Sequence, residues 1–268
     1  MKLLNGSELA SYIKARQAKQ VRGLIQAHNI QPKLAIIQVK DDPVINVYVR
    51  LKKQYGQDIK VEVDVYRVEQ ADVRAKIQEL NNDKSVHGVI VQLPLTNIDE
   101  TEEIVNLVDP LKDVDSLGKD AKFEPATPMA IMWLLSGYNV ELKNKKILLI
   151  GRGRLVGAPL EKTLKSSGYR VEVVDRGIDD ISIHTINADV IVTATGSPAI
   201  LNAKNIKQGA VVVDAGVASE SGKKVGDLAD DVYDRDDLTI TPKKGGVGPL
   251  TVCALFENVI RSASNLTK

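Results

Sequence analysis

The stretch Gly151-Arg152-Gly153-Arg154-Leu155-Val156-Gly157 puts three glycines and two arginines into one short turn. Small residues there let backbone amides approach a pyrophosphate, and a helix starting at the turn points its positive end at the same charge. The spacing is GxGxxxG rather than the GxGxxG of the standard dinucleotide fingerprint, so context has to decide. An apolar run at 145–150 precedes the turn and a helical pattern follows it. The next apolar run ends at Asp175, where a carboxylate would accept hydrogen bonds from a ribose 2′-hydroxyl. This order predicts a nucleotide site, the alternative being a tight strand-to-helix turn that merely needs glycine. Asp175 favours NAD because it repels a 2′-phosphate. Arg152, Arg154 and Arg176 pull toward NADP by offering guanidinium groups to that phosphate, unless they are solvated surface charges.

A second set of candidate residues lies in the first half of the chain. In NVYVRLKKQ (46–54), Tyr48 and Lys52 are four apart and share a face if the segment is helical, although exposed helices often pair an aromatic with a lysine stem. Gln92 sits in the apolar run GVIVQLPL (88–95). A buried amide there needs a partner, and it can order a neighbouring lysine. Asp113 and Asp115 flank Val114 in a segment rich in Pro, Gly and Asp, where carboxylates commonly hold turns; spacing alone marks neither as catalytic.

The elements that must position these residues alternate in type. Ser7, as N-cap, opens a helix to about His28, and LAIIQV (34–39) is a strand of buried character. A helix through Tyr48 and Lys52 follows the Asp41-Asp42-Pro43 turn. Strands at 61–68 and 88–95 enclose a helix near 71–80, another helix is expected near 100–107, and 107–128 reads as irregular chain. The second half predicts a helix at 129–137, a βαβ unit over 145–175 and strands in ADVIVTATG, GAVVVDAG and LTITP. It ends in a helix from Thr251 with Val252, Leu255, Phe256, Val259 and Ile260 on one face. Six aspartates between Asp227 and Asp237 read as a solvated acidic surface. Alternation of this kind predicts an α/β fold of two domains, the second a Rossmann-like, doubly wound parallel sheet. The expected bounds are 1–118 with about 250–268 for the first domain, 140–249 for the second, and 119–139 connecting them.

Composition excludes several classes. At 268 residues the chain accommodates two modest domains, and 43% hydrophobic with 26% charged residues is a globular balance. Lys plus Arg total 36 against 35 Asp plus Glu, so no global field draws in nucleic acid or an acidic membrane. One cysteine, Cys253, allows no internal disulfide and no cysteine-cluster metal site, and fits a reducing compartment. The amino-terminal stretch lacks the apolar core of a signal peptide, and no run approaches the roughly 20 residues of a membrane span. A cytoplasmic protein is expected.

Taken in order, the segments PKLAIIQV, DDP…Y…K, VHGVIVQLPL, KDVD, the Ala126-Thr127-Pro128 tripeptide, GRGRLVGAP, TATGSP, VGDL and TPKKGGVGPLTV span nearly the whole chain. Together they resemble the bifunctional methylenetetrahydrofolate dehydrogenase/methenyltetrahydrofolate cyclohydrolase family. The resemblance implies a folate domain and a nucleotide domain facing one cleft, NADP as cofactor with NAD admitted by Asp175, a tetrahydrofolate substrate, and a homodimer. On matching positions, Lys52 would be the main catalytic residue and Tyr48 would stack on the folate. Gln92 would tune Lys52, Asp115 would hold the pterin, and Gly248 and Pro249 would line the folate side. Gly151, Arg152 and Gly153 match the phosphate turn, with Arg154 and Gly157 in the same motif. Arg176 matches a contact to the 2′-phosphate region, and Val217 a backbone contact near the nicotinamide.

The implied chemistry is oxidation of 5,10-methylenetetrahydrofolate to the methenyl cation and hydrolysis of that cation to 10-formyltetrahydrofolate. The sequence departs from the family pattern at Ile45 for serine, Thr96 for proline, Ser116 for glycine, Gly153 for serine, Asp175 for histidine, and Lys243-Lys244 for Val-Pro. A shikimate-dehydrogenase-like oxidoreductase explains the nucleotide half alone, and a folate- or nucleotide-binding regulator without catalysis explains the departures.

Overall fold

A computed structural model describes residues 1–175, 180–216, 218–220 and 223–267. The elements run β1 (Lys2–Leu3), α1 (Gly6–His28), β2 (Lys33–Gln38), α2 (Pro43–Ile59), β3 (Glu62–Arg67), α3 (Val73–Asn82), β4 (Gly88–Gln92) and α4 (Thr101–Val105). After a long irregular stretch come α5 (Ala126–Gly137), β5 (Ile147–Ile150), α6 (Gly157–Ser166), β6 (Val171–Val174), α7 (Ser182–Thr185), β7 (Val190–Thr193) and β8 (Val211–Asp214). A hairpin, β9 (Ala218–Glu220) and β10 (Lys223–Val225), precedes β11 (Thr239–Ile240) and α8 (Val247–Ser264). The described residues form two units, Ser11–Ala126 with Val252–Lys268, and Met1–Ala10 with Thr127–Thr251. The division falls within α1, α5 and α8.

In the first unit three parallel strands lie in the order β3-β2-β4. The central strand reads as a continuous aliphatic run because both its faces are covered: Leu34, Ala35, Ile36 and Ile37 are wholly buried. One face packs against Val73, Ile77 and Leu80 of α3 and against Ile104 and Val105 of α4. Register places Gln38 opposite Gln92, so two amides stand at the carboxyl ends of neighbouring strands. The irregular segment is tied to this sheet, because Val89 bridges to Asp113 and its N–H donates to Lys112 O at 2.8 Å. Within the same unit, Phe256 of α8 packs on Tyr55 of α2, with ring centroids 5.0 Å apart.

The second unit holds a six-stranded sheet in the order β1-β11-β8-β7-β5-β6, every pairing parallel. From β5 the chain moves outward to β6 and then returns to the other side of β5 as β7. The strand order therefore reverses between β5 and β7, the place where open α/β sheets take ligands at their carboxyl ends.

Several sequence expectations change here. The cap of α1 is Asn5, whose Oδ1 accepts from Glu8 N at 3.2 Å, and not Ser7. Lys2–Leu3, expected in the first domain, extends the second unit's sheet beside β11, its backbone paired with that strand's exposed edge. α8 begins at Val247 instead of Thr251 because Pro249 is accepted in a first helical turn. Asp227 is wholly buried rather than solvated, and it has a structural task described below.

Candidate active site

Helix α2 is fixed at its start by Asp42, whose carboxylate accepts from Val44 N at 2.8 Å and Ile45 N at 3.1 Å, with Pro43 opening the helix. Ile45, Val49 and Ile59 bury one stripe of the helix, and the adjoining face carries Tyr48 and Lys52 one turn apart, both partly buried. Lys52 Nζ donates to Gln92 Oε1 at 2.8 Å. The amide is oriented by its own Nε2, which donates to Leu93 O at 3.1 Å, so the last residue of β4 presents an acceptor to the lysine.

Asp115 completes the group through charge. Burial lowers the Lys52 pKa from the ordinary lysine value, and Asp115 only partly opposes this; burial raises Asp115, and Lys52 pulls it back. The loop that presents Asp115 is pinned on both sides. Asp113, itself buried, accepts from Gly118 N at 2.7 Å and Leu117 N at 3.3 Å, and desolvation pushes its carboxyl up to about 6. Asn258 Nδ2 of α8 donates to Val114 O at 2.9 Å and Glu124 O at 2.8 Å. Ser116 adopts a left-handed φ of 57°, the conformation that favours glycine, and its hydroxyl compensates by donating to Phe123 O at 2.7 Å. A lysine of lowered pKa that is hydrogen-bonded to an amide oxygen and lies in the field of a carboxylate is suited to proton transfer.

The nucleotide turn forms in the second unit, where β5, β6 and β7 end together. Gly151 N donates to Val174 O and Ala194 N to Ile150 O, each at 2.8 Å. Gly151 has φ +97°, and a side chain on it would meet Ala194 O at 2.7 Å; one on Gly157 would meet Gly151 O at 2.1 Å. Both positions need glycine to close the turn onto the helix. Gly153 differs, since a Cβ there meets nothing within 4 Å, so its smallness leaves open space above the turn. The first turn of α6 has no side-chain cap from Val156, and Pro159 contributes no N–H. An uncapped helix start beneath a roomy glycine turn fits a nucleotide pyrophosphate.

The neighbouring loop at the end of β7 is braced by Asp227, which accepts from Thr195 N at 2.8 Å and Ser197 N at 3.1 Å. Asp227 is held in turn by Asp214 of β8, whose Oδ2 accepts from Asp227 N at 2.9 Å and whose carboxyl is pushed up to about 6 by burial. The acidic run concealed this role, since only folding buries one of its aspartates. Arg152 and Arg154 are exposed in the turn, and Asp175 is exposed at the end of β6. Arg152 Nε donates to Glu161 Oε2 at 2.8 Å, a partner the sequence reading missed. Gly248 and Pro249 lie in the first turn of α8. Arg176 and Val217 lie outside the described residues. Among the described residues, no group of three or more His, Cys, Asp or Glu is placed to hold a metal ion, and no helix is long and apolar enough to cross a membrane.

Residues 4–115 match the tetrahydrofolate dehydrogenase/cyclohydrolase catalytic domain, and residues 125–267 match the tetrahydrofolate dehydrogenase/cyclohydrolase NAD(P)-binding domain. The bifunctional protein FolD of Campylobacter jejuni (strain RM1221) is 35% identical over 280 residues, covering 99% of each chain. The crystal structure of the bifunctional FolD methylenetetrahydrofolate dehydrogenase/cyclohydrolase from Campylobacter jejuni is similar with a TM-score of 0.93 at 34% identity, over 99% of both chains. That of Trypanosoma brucei FolD, complexed with NADP cofactor and inhibitor, has a TM-score of 0.92 at 27% identity, over 99% of this chain and 98% of that one. With both domains matched and a relative aligned along its full length, the chain belongs to the tetrahydrofolate dehydrogenase/cyclohydrolase family.

Proposed function

We propose that this protein is a bifunctional one-carbon folate enzyme. It oxidises 5,10-methylenetetrahydrofolate with NADP and hydrolyses the resulting 5,10-methenyltetrahydrofolate to 10-formyltetrahydrofolate. The observation that carries this reading is the 2.8 Å hydrogen bond from Lys52 Nζ to Gln92 Oε1, with Asp115 coupled to the same ammonium. The unit containing them binds the folate. Tyr48 stacks on it and Asp115 accepts from pterin N–H groups; the assignment of Gly248 and Pro249 to folate binding rests on the family resemblance. The other unit binds the nucleotide, with its phosphates at Gly151, Arg152, Gly153, Arg154 and Gly157 and its ribose at Asp175. Arg176 and Val217 join this set on the family resemblance.

A bound nicotinamide would supply the acceptor for a hydride from the methylene carbon of the folate. The protein's part in that step is alignment of the two reacting centres. Hydride loss leaves a methenyl cation on the folate. Water adds to that carbon as Lys52, in its neutral form, takes the water's proton. The ring then opens by cleavage of one carbon–nitrogen bond. The Lys52 ammonium returns its proton to the departing nitrogen, and the remaining hydroxyl proton leaves to solvent as the formyl group forms. Gln92 holds Lys52 toward the reacting carbon and sets its basicity.

The protein acts as a homodimer in the cytoplasm. Support for the dimer is β6, which lies at the sheet edge with exposed Ile183 and Ile186 on the segment that follows it. Support for the compartment is that Cys253, the one cysteine of the sequence, is buried and can form no internal disulfide. Light scattering of the eluted protein tests the dimer, and a monomeric mass overturns it. The activity is tested by supplying purified protein with methylenetetrahydrofolate and either NADP+ or NAD+. Cofactor reduction is followed first, and decay of methenyltetrahydrofolate second. No turnover with either cofactor refutes the proposal and leaves the non-catalytic binding protein.

A further inference from the structure

β5 and β6 end side by side: Ile150 pairs with Val174, and Gly151 N donates to Val174 O at 2.8 Å. Arg152 and Asp175 therefore leave adjacent strand ends, where this kind of fold receives the adenosine ribose and any phosphate on its 2′-oxygen. Arg152 is not an isolated cation. Its Nε donates to Glu161 Oε2 at 2.8 Å, and Lys165 Nζ donates to Glu161 Oε1 at 2.6 Å. The Glu161 side chain is only 10% exposed, while those of Arg152 and Lys165 are 59% and 58% exposed. The carboxylate is thus the buried hinge of the triad, and the two cations reach outward from it. A guanidinium has five N–H donors. With Nε committed to Glu161, a phosphate approaches through the Nη groups.

The charges of this cluster are unusual for a site receiving a dianion. Glu161 cancels one of the two cations, and Asp175 at the neighbouring strand end opposes the one that remains. Glu161 is held ionised by its hydrogen bonds to Lys165 and Arg152, which lower its pKa. We propose that Glu161 is a cofactor-specificity residue: its carboxylate aims the Arg152 guanidinium while offsetting its charge, which limits how strongly the enzyme prefers NADP over NAD. The inference rests on the proposed nucleotide site and on the sequence reading that offers the Arg152 guanidinium to the 2′-phosphate.

The test measures dissociation constants for NADP+ and NAD+ by calorimetry on the full-length protein and on three variants, with thermal melts to establish that each is folded. In E161Q the amide oxygen still accepts from Arg152 Nε, so the aim persists and only the charge is lost. A unit charge one hydrogen-bonded side chain removed from a bound dianion, screened by water and salt, is worth on the order of two- to fivefold in affinity. E161Q is expected to tighten NADP+ by that factor and to change NAD+ by less than about twofold. K165M removes the cation that neutralises Glu161 from the far side and is expected to weaken NADP+ selectively. This gives the opposite sign from an independent variant. R152Q tests the underlying reading and is expected to weaken NADP+ more than NAD+. If R152Q does so while E161Q leaves NADP+ unchanged or weaker, the role of Glu161 is wrong and that of Arg152 stands. If R152Q leaves both constants unchanged, the placement of the 2′-phosphate at Arg152 is itself wrong.

Discussion

Replacing Lys52 with methionine keeps most of the side chain's length and apolar contact while removing an amine whose pKa is lowered by burial. Positioned proton transfer is typically worth about 10²–10⁴-fold. The hydrolysis of methenyltetrahydrofolate by Lys52→Met should therefore fall by at least about a hundredfold. Hydride transfer needs alignment rather than a proton relay, so cofactor reduction should fall far less. The stability change is expected to have the opposite sign. A lysine whose folded pKa is depressed binds fewer protons in the folded state than in the unfolded chain between the folded value and about 10.5. It therefore costs stability below that window, and the cost fades as pH rises through it. Methionine removes this penalty but leaves Asp115 without its cation, which raises the carboxyl further and favours its neutral form. Lys52→Met should consequently be about as stable as the parent at neutral pH, within roughly 1 kcal/mol. The assay follows methenyltetrahydrofolate absorbance and cofactor reduction on the same preparation, alongside urea denaturation. Full hydrolysis by a folded Lys52→Met enzyme would refute the assignment, and equal loss of both activities would refute the separation of proton transfer from hydride transfer.

Asp227→Ala leaves the N–H groups of Thr195 and Ser197 without their acceptor. It should cost about 1–3 kcal/mol in denaturant unfolding and weaken cofactor binding; an unchanged midpoint would show that the brace is dispensable. Gly157→Ala places a methyl 2.1 Å from Gly151 O and should abolish nucleotide binding while folate binding persists, read by calorimetry with each ligand separately. Asp113 and Asp214 should titrate near pH 6 by carboxyl-carbon NMR, and midpoints near 4 would contradict their burial. Because these two carboxyls bind protons in the folded state that the unfolded chain has released between about pH 4 and 6, their contribution to stability falls as pH rises through that window.

Much of the candidate site was legible in the chain because its logic is local. A glycine turn after an apolar run and before a helical pattern reads as a nucleotide loop, since only glycine tolerates the φ of Gly151 and the closeness of Gly157 to its carbonyl. Tyr48 and Lys52 share a face through helical periodicity alone, and Asp42-Pro43 announces the helix that carries them. The acidic run at 227–237 misled because composition reports charge without burial. Asp227 accepts from a loop thirty-odd residues away, an arrangement that no window along the chain displays.

The sequence by itself determined the alternation of strands and helices, the two parallel α/β halves and the residue types available for folate and nucleotide chemistry. These follow from short-range sterics, periodicity and the special conformations of glycine and proline. Tertiary structure alone decided which groups meet. Gln92 reaches Lys52 across forty residues, and Lys2–Leu3 joins a sheet built from the opposite end of the chain. Folding also buries Glu161 between Arg152 and Lys165 and desolvates Lys52, Asp113 and Asp214. The physical reason is that pairing and desolvation depend on what the rest of the chain packs around a charge, and that environment exists only once distant segments have come together.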